Sequence, residues 1–200
     1  MVKKSITYFE QNGAENTDEV LKLVQDRLKE GDIKSVVVAS TSGKTGLKFA
    51  RSLGKKTNLV VVSTHPGSKT PGVWEFDPEA LKELEKLGIK VIRQSHALSG
   101  LEKSFTSKFS GISHSEVLAE SLKSLFSPGM KVVIECSIMA LDGGTIPIDK
   151  TIAVGGTGAK GRGADTAVVV LPAHTNNFFD FRVLEIIAKP FNNSSQADPK

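Results

Sequence analysis

The stretch IKSVVVASTSGKTGLKFARSLG, residues 33–54, decides the fold class. It contains an uninterrupted apolar run, 36–39, which predicts a strand that is buried on both faces. A polar turn follows, and then helical periodicity places Leu47, Ala50 and Leu53 on one face. Strand, turn and helix together form the first half of a β–α–β unit, so this stretch predicts a parallel sheet covered by helices.

The same alternation of strands and amphipathic helices continues along the chain. Further strands are predicted at 5–9, 58–64, 90–95, 151–156, 166–173 and 181–188, and helices at 16–31, 77–88 and 113–126. Two of the helices carry recognisable start signals, Asp77 before Pro78, and Ser113 three residues before Glu116. Helices on both faces of such a sheet leave the carboxyl ends of the strands as the place where ligands bind.

Residues 130–144, MKVVIECSIMALDGG, fit either kind of element. Their β-branched residues favour a strand, but the apolar length exceeds the roughly 5–6 residues of an average strand. Gly143 and Gly144 are suited to end a helix, and a clear strand follows Pro147. We therefore predict a buried helix here, with a strand as the alternative.

Composition predicts one domain over 1–192 and a flexible tail at 193–200. No apolar stretch approaches the ~18 residues that cross a bilayer, and the first residues lack the apolar core of a secretion signal. The single cysteine, Cys136, favours a reducing compartment, so we expect a cytoplasmic protein without a membrane partner. The net charge of +4 comes from lysines interleaved with acids, and one Trp and one Tyr offer no stacking platform, so nucleic acid is not an expected partner.

The turn after the strand at 36–39 resembles part of an ATP-binding loop. Such a loop needs a glycine at position 38, where this chain has Val38, and no strand here ends in an evident Mg²⁺-binding aspartate. Hydroxyls, a lysine and a helix N-terminus nevertheless favour an anion, and the alternative is a simple helix cap with a solvated lysine. The candidate phosphate-binding residues of this turn are Ser40, Thr41, Ser42, Gly43, Lys44 and Thr45.

A second candidate loop, rich in glycine, connects the strands predicted at 151–156 and 166–173. Glycines let the backbone approach a ligand closely, and an arginine can bind a phosphate through two hydrogen bonds. The alternative is a mobile surface loop. The candidate ligand-binding residues of this loop are Gly156, Thr157, Gly158, Lys160, Arg162 and Gly163.

Two histidines follow strands and are expected at the same edge of the sheet. His65 and His96 are predicted either to contact the ligand or to act as a general acid or base, and the alternative is a hydrogen-bonded loop residue. No pair of histidines has metal-ligand spacing, so no metal is predicted. The thiol of Cys136 is expected to be buried and inert, and Glu135 and Asp142 to be structural or on a helix surface.

Both loops together resemble the C-terminal α/β domain of pyruvate kinase. The motifs ITYFEQNGAENT, SHALSG, IMALDGGTIP, GADTAVVVLPAH and RVLEIIAKP are similar to stand-alone archaeal and bacterial proteins of that type, over nearly the whole chain. The resemblance implies a three-layer α/β/α sandwich with a mostly parallel sheet of order 3-2-1-4-5, the last strand antiparallel. It also implies that the two loops correspond to a pocket for a phosphorylated effector. It does not imply kinase activity, because that chemistry requires a barrel domain that is longer than this chain.

These observations lead to three hypotheses about function. The first is a sensor or binding protein for a phosphate-bearing small molecule, which could be a nucleotide, a sugar phosphate or FMN with its ring near PGVWEF, residues 71–76. The second is an enzyme that acts on a phosphorylated metabolite with His65 or His96 as acid or base. The third is a scaffold without a ligand, and a homo-oligomer is compatible with all three.

Overall fold

Seven strands form one sheet in the computed structural model, which describes residues 1–54, 57–157 and 163–192. The strands are β1 (Thr7–Phe9), β2 (Ser35–Ala39), β3 (Asn58–Ser63), β4 (Lys90–Arg93), β5 (Thr151–Gly155), β6 (Thr166–Leu171) and β7 (Arg182–Pro190). Their order across the sheet is β1-β7-β6-β5-β2-β3-β4. Among these seven, β6 alone runs antiparallel to its neighbours. The fold is therefore α/β with a mixed, mostly parallel sheet, and the five-strand order expected from the sequence leaves out β1 and β7.

Helices cover both faces of the sheet. They are α1 (Thr17–Leu28), α2 (Lys44–Leu53), α3 (Pro78–Lys86), α4 (Glu102–Phe109), α5 (His114–Leu125) and α6 (Pro128–Asp142), with short 3₁₀ turns at Ala14–Asn16 and Thr175–Asp180. One face packs against α1, α2 and α3, through side chains such as Val24, Phe49 and Leu84. The other face packs against α6, which α5 covers in turn.

Helix α6 shows that the stretch at 130–144 is helical, as predicted. Ser127 caps it by accepting a hydrogen bond from the backbone N–H of Met130, and Pro128 occupies its first turn. Nearly all of its side chains are buried, because the sheet lies on one side and α5 on the other. This double cover explains why its sequence is apolar on every face.

The helix start signals at Asp77 and Ser113 are also confirmed. The Asp77 carboxylate accepts from the N–H of Glu79, and Ser113 and Glu116 form a reciprocal capping box. Helix α4 is an element that the sequence did not predict. Within the described residues, no helix is long and apolar enough to cross a membrane.

Candidate functional site

A cavity of about 140 Å³ opens where β2 and β3 end, at the carboxyl edge of the sheet. A single water molecule needs only about 10–15 Å³, so the cavity has room for a group much larger than water. It is lined by Ala39, Ser40, Thr41, Ser42, Thr45, Val62, Ser63, Thr64, His96, Val132, Glu135, Cys136, Met139, Gly156 and Gly163. The structure thus brings together parts of both predicted loops, one of the two histidines and one face of α6.

The turn at 40–45 is held in place by its own hydrogen bonds and by α3. The hydroxyl of Ser40 accepts from the backbone N–H of Gly46, and Gly43 adopts a left-handed conformation with φ of 88°. A Cβ at Gly43 would lie 2.7 Å from the ring of Phe76, so only glycine fits there without a shift. Ser40 therefore supports the turn, and the start of α2 faces the cavity.

Two hydroxyls of this turn remain available to a ligand. Thr41 and Ser42 line the cavity, and their side chains make no hydrogen bond within the described part of the chain. They stand at the start of α2, where backbone N–H groups lack helical acceptors and the helix dipole is positive. This combination is suited to an anion.

The side chain of Lys44 lies elsewhere. Lys44 is exposed and lines a separate groove between α2 and α3, together with Asp77, Glu79 and Lys82. It is absent from the residues that line the cavity, as is Gly43. Of the six residues predicted in this turn, the other four line the cavity.

The residue that directly follows β3, Thr64, contributes a buried hydroxyl to the cavity. The indole N–H of Trp74 donates to the Ser63 hydroxyl at 3.1 Å and to the carbonyl of Thr64 at 3.0 Å. The Thr64 hydroxyl is buried and has no hydrogen-bond partner within the described residues. An unmet buried hydroxyl costs free energy, so its persistence beside the cavity is consistent with a binding role.

The Trp74 ring is already engaged by the protein. It stacks on Phe76, with ring centroids 4.8 Å apart, and the guanidinium of Arg93 lies 4.6 Å from its centroid. Trp74 is also absent from the cavity lining. It therefore positions the end of β3, and the sequence-based expectation of a flat ligand ring beside it gains no support from these contacts.

A buried ion pair on α6 lies behind the cavity. The ammonium of Lys131 donates to Oε2 of Glu135 at 2.5 Å, and Oε1 of Glu135 accepts from the backbone N–H of Leu98 at 3.0 Å. Both residues are buried, with Glu135 3% exposed. Glu135 lines the cavity, so it is one of the site residues that the sequence reasoning missed. A lysine four residues before a glutamate, inside an otherwise apolar helix, was the signal that could have revealed the pair.

His96 lies next to this ion pair. Its Nδ1 is 3.6 Å from Oε2 of Glu135, and its side chain is 27% exposed. Burial lowers the pKa of His96, and the positive charges of Lys131, His65 and Lys103 act in the same direction, while Glu135 opposes them. His96 is therefore mainly neutral near pH 7.

His65 contacts His96 without lining the cavity. The two rings meet edge to face, with centroids 5.6 Å apart. Nδ1 of His65 lies 2.8 Å from the carbonyl oxygen of Pro66, which requires the Nδ1 proton to donate. His65 thus supports the ring of His96 from the β3 side.

The glycine-rich connection meets the cavity at Gly156 and Gly163. A Cβ on Gly156 would collide with the carbonyl of Gly163. The two ends of this connection therefore lie too close together for a side chain at Gly156. Three of the predicted ligand-binding residues, Gly158, Lys160 and Arg162, lie outside the described residues.

Thr157 and Asp165 anchor the described ends of this connection. Both the backbone N–H and the hydroxyl of Thr157 donate to Oδ2 of Asp165, and the Thr166 hydroxyl donates to Oδ1. Burial raises the pKa of Asp165, although these hydrogen bonds oppose the rise. Thr157, predicted as a ligand contact, here serves the protein's own carboxylate.

Asp165→Asn is expected to lower the free energy of unfolding by about 1–2 kcal/mol, because the new amide nitrogen would face a group that donates rather than accepts. The measurement is thermal unfolding followed by circular dichroism. Asp180→Asn, at an exposed position, is the matched control and should change stability by no more than about 0.5 kcal/mol. Equal effects of the two substitutions would contradict the anchoring role of Asp165.

Cys136 and Asp142 have surroundings that are typical of structural residues. Burial raises the pKa of the Cys136 thiol far above its usual range, so this cysteine is not a nucleophile. Asp142 accepts from His174 and Thr175, and although burial acts in the opposite direction, these contacts hold its pKa below the ordinary value.

No group of three or more His, Cys, Asp or Glu side chains in the described ranges is placed to hold a metal ion.

A search of the known protein families finds none that matches this chain. The resemblance to the pyruvate kinase C-terminal domain accordingly remains a prediction.

Proposed function

We propose that this protein binds a phosphate-bearing small molecule in the cavity at the carboxyl edge of the sheet, as a sensor or binding protein without pyruvate kinase activity. The observation that carries the proposal is the set of hydroxyls that meet in one cavity at the start of α2. Thr41 and Ser42 have no partner in the described protein, and the Thr64 hydroxyl is unmet nearby.

The charges around the cavity are compatible with an anion. Glu135 is an acidic residue in the lining, and the ammonium of Lys131 at 2.5 Å balances its charge. The positive end of the α2 dipole then determines the local field, and backbone N–H groups there can donate to phosphate oxygens. We also propose that the positively charged side chains of Lys160 and Arg162, in the glycine-rich connection, bind the same phosphate.

The order of the central strands supports a relationship to the pyruvate kinase C-terminal domain. Within the seven-strand sheet, β4-β3-β2-β5-β6 are consecutive neighbours and β6 is antiparallel, which is compatible with a five-strand core of order 3-2-1-4-5 counted from β2. In that relationship the cavity takes the place of an effector pocket. Candidate ligands are a nucleotide, a sugar phosphate or FMN.

Native mass spectrometry of the freshly purified protein tests the proposal directly. We expect a bound component that contains phosphate, seen as an added mass on each protomer, and the same spectrum reports the oligomeric state. Absorbance in the visible flavin bands would identify FMN. Protein that carries no phosphorylated compound and shows no thermal shift with nucleotides, sugar phosphates or FMN would contradict the proposal.

The double variant Thr41→Val and Ser42→Ala is expected to bind such a ligand at least about tenfold more weakly, since a hydrogen bond to a charged group contributes about 1.5–3 kcal/mol. Its free energy of unfolding should stay nearly unchanged, because neither side chain bonds to the described protein. Titration calorimetry measures the affinity.

Two further variants make this test specific. Thr70→Val removes an exposed hydroxyl from a loop outside the cavity and should leave the affinity unchanged. Lys44→Ala measures the contribution of the lysine predicted from the sequence. A loss as large as that of the double variant would show that the Lys44 side chain reaches the ligand from its separate groove.

A second candidate function is an enzyme that acts on a phosphorylated metabolite. The position of His96 favours it, because a mainly neutral imidazole lines the cavity with a carboxylate 3.6 Å from its Nδ1. A turnover that survives His96→Gln would remove this role from His96. Activity lost in His96→Gln with unchanged ligand affinity would support it.

A further inference from the structure

His96 is the titratable group of the cavity whose charge is easiest to change. The charges next to it, on Lys131 and Glu135, are committed to each other through a contact of 2.5 Å. The carboxylate near Nδ1 favours the tautomer with its proton on that nitrogen, which leaves Nε2 as an acceptor. An anion that entered the cavity would therefore meet a neutral imidazole.

Burying an anion beside a neutral ring is unfavourable unless positive charge accompanies it. A nearby anion raises the pKa of an imidazole. At contact distance the proton affinity of the ring rises by about a factor of ten or more. Protonation of Nε2 turns the ring from an acceptor into a charged donor, and Glu135 then faces the positive ring through Nδ1.

We propose that His96 is the second anchor of the bound anion and that its Nε2 takes up one proton from solvent when the phosphate-bearing ligand binds. This inference rests on the proposed function and defines how the same cavity recognises its ligand. The proton leaves again when the ligand dissociates, so no other reactant is needed.

The surroundings of His96 determine the direction of the pH dependence. Glu135 favours the protonated ring, whereas Lys131, His65 and Lys103 disfavour it together with burial, and they lower its pKa in the empty site. A bound anion raises that pKa. The affinity for the anion is then highest at low pH, where the ring is protonated both with and without ligand. It falls as the pH rises through the pKa that His96 has in the ligand-bound site.

The test uses inorganic sulfate, whose charge stays constant across the titration of a histidine, unlike that of phosphate. Nuclear magnetic resonance of the imidazole groups follows the four histidines of the chain. His96→Gln identifies the signal of His96, and His114→Gln, at an exposed position on α5, is the control. Sulfate affinity is measured by calorimetry from about pH 5 to about pH 8, in buffers of different ionisation enthalpy, across the range in which histidines titrate.

We expect saturating sulfate to raise the pKa of His96 by about 1, and the affinity for sulfate to be about tenfold higher at the acid end of the range. In His96→Gln the affinity should lose its pH dependence, and in His114→Gln it should keep it. Sulfate binding without proton uptake, or with the same pH dependence in His96→Gln, would overturn this inference and leave the binding function standing. If neither sulfate nor phosphate binds at any pH, the inference fails, and the binding function fails with it if nucleotides, sugar phosphates and FMN also give no thermal shift.

Discussion

Glu135→Gln is expected to lower the free energy of unfolding by about 3–5 kcal/mol, because it leaves the buried ammonium of Lys131 without its counter-charge. The amide oxygen of glutamine can still accept from the backbone N–H of Leu98, so the loss reports the charge and not that hydrogen bond. Lys131→Met should be similarly costly, since it leaves the carboxylate buried and unpaired. Urea-induced unfolding near neutral pH measures both.

The double variant Lys131→Met and Glu135→Gln separates a broken ion pair from lost packing. Once neither charge is present, most of the stability should return, because replacing a whole buried ion pair by neutral groups is often close to neutral. Additive losses in the double variant would contradict the pairing of Lys131 with Glu135. A single variant that costs less than about 1 kcal/mol would show that water reaches the pair.

The sheet could be predicted from the sequence because its strands are buried on both faces. Val36, Val37 and Val38 are fully buried, so successive residues on both faces of the strand must be apolar. Such a short, continuous apolar run is typical of a strand in a parallel sheet that helices cover on both sides. Helix α4 could not be predicted in the same way. It has no buried residue, and its two apolar side chains, Phe105 and Phe109, are exposed, so it lacks the wide apolar stripe of a core-facing helix.

The candidate site was only partly predictable for a related reason. Residues that directly follow strands meet at one edge of a parallel sheet, and on this basis Ser40 and His96 were placed together. The direction of a side chain within a turn depends on local dihedral angles and packing, so the position of Lys44 on the α3 side could not be predicted from the sequence. Glu135 was missed because it reaches the cavity from the middle of a helix that packs on the sheet.

At the turn between β2 and α2, the sequence and the structure give complementary information. The sequence identifies it as polar and glycine-containing, and the structure shows which of its groups support the turn and which are left for a ligand. Ser40 is used internally by Gly46, whereas Thr41 and Ser42 remain available. A change that shifts the backbone here should therefore affect stability and ligand affinity together.

Gly43→Ala is expected to lower the free energy of unfolding by about 2–5 kcal/mol. The left-handed conformation, with φ of 88°, costs an alanine about 1–2 kcal/mol. The new Cβ would also lie 2.7 Å from the Phe76 ring and 2.9 Å from the Cβ of Ala80, and such overpacking typically costs about 1–3 kcal/mol. Relief of the overlap must move the turn, so the affinity for a phosphate-bearing ligand should fall as well.

Gly31→Ala is the matched control for this prediction. Gly31 has a similar φ of 81°, and no atom lies within 4 Å of a Cβ built there, so its substitution isolates the conformational cost of about 1–2 kcal/mol. Thermal unfolding of both variants measures the difference, which is the part due to Phe76 and Ala80. If the two substitutions were equally costly, the packing of α3 against the turn would not constrain it, and the turn could adapt to its ligand instead of being held ready for it.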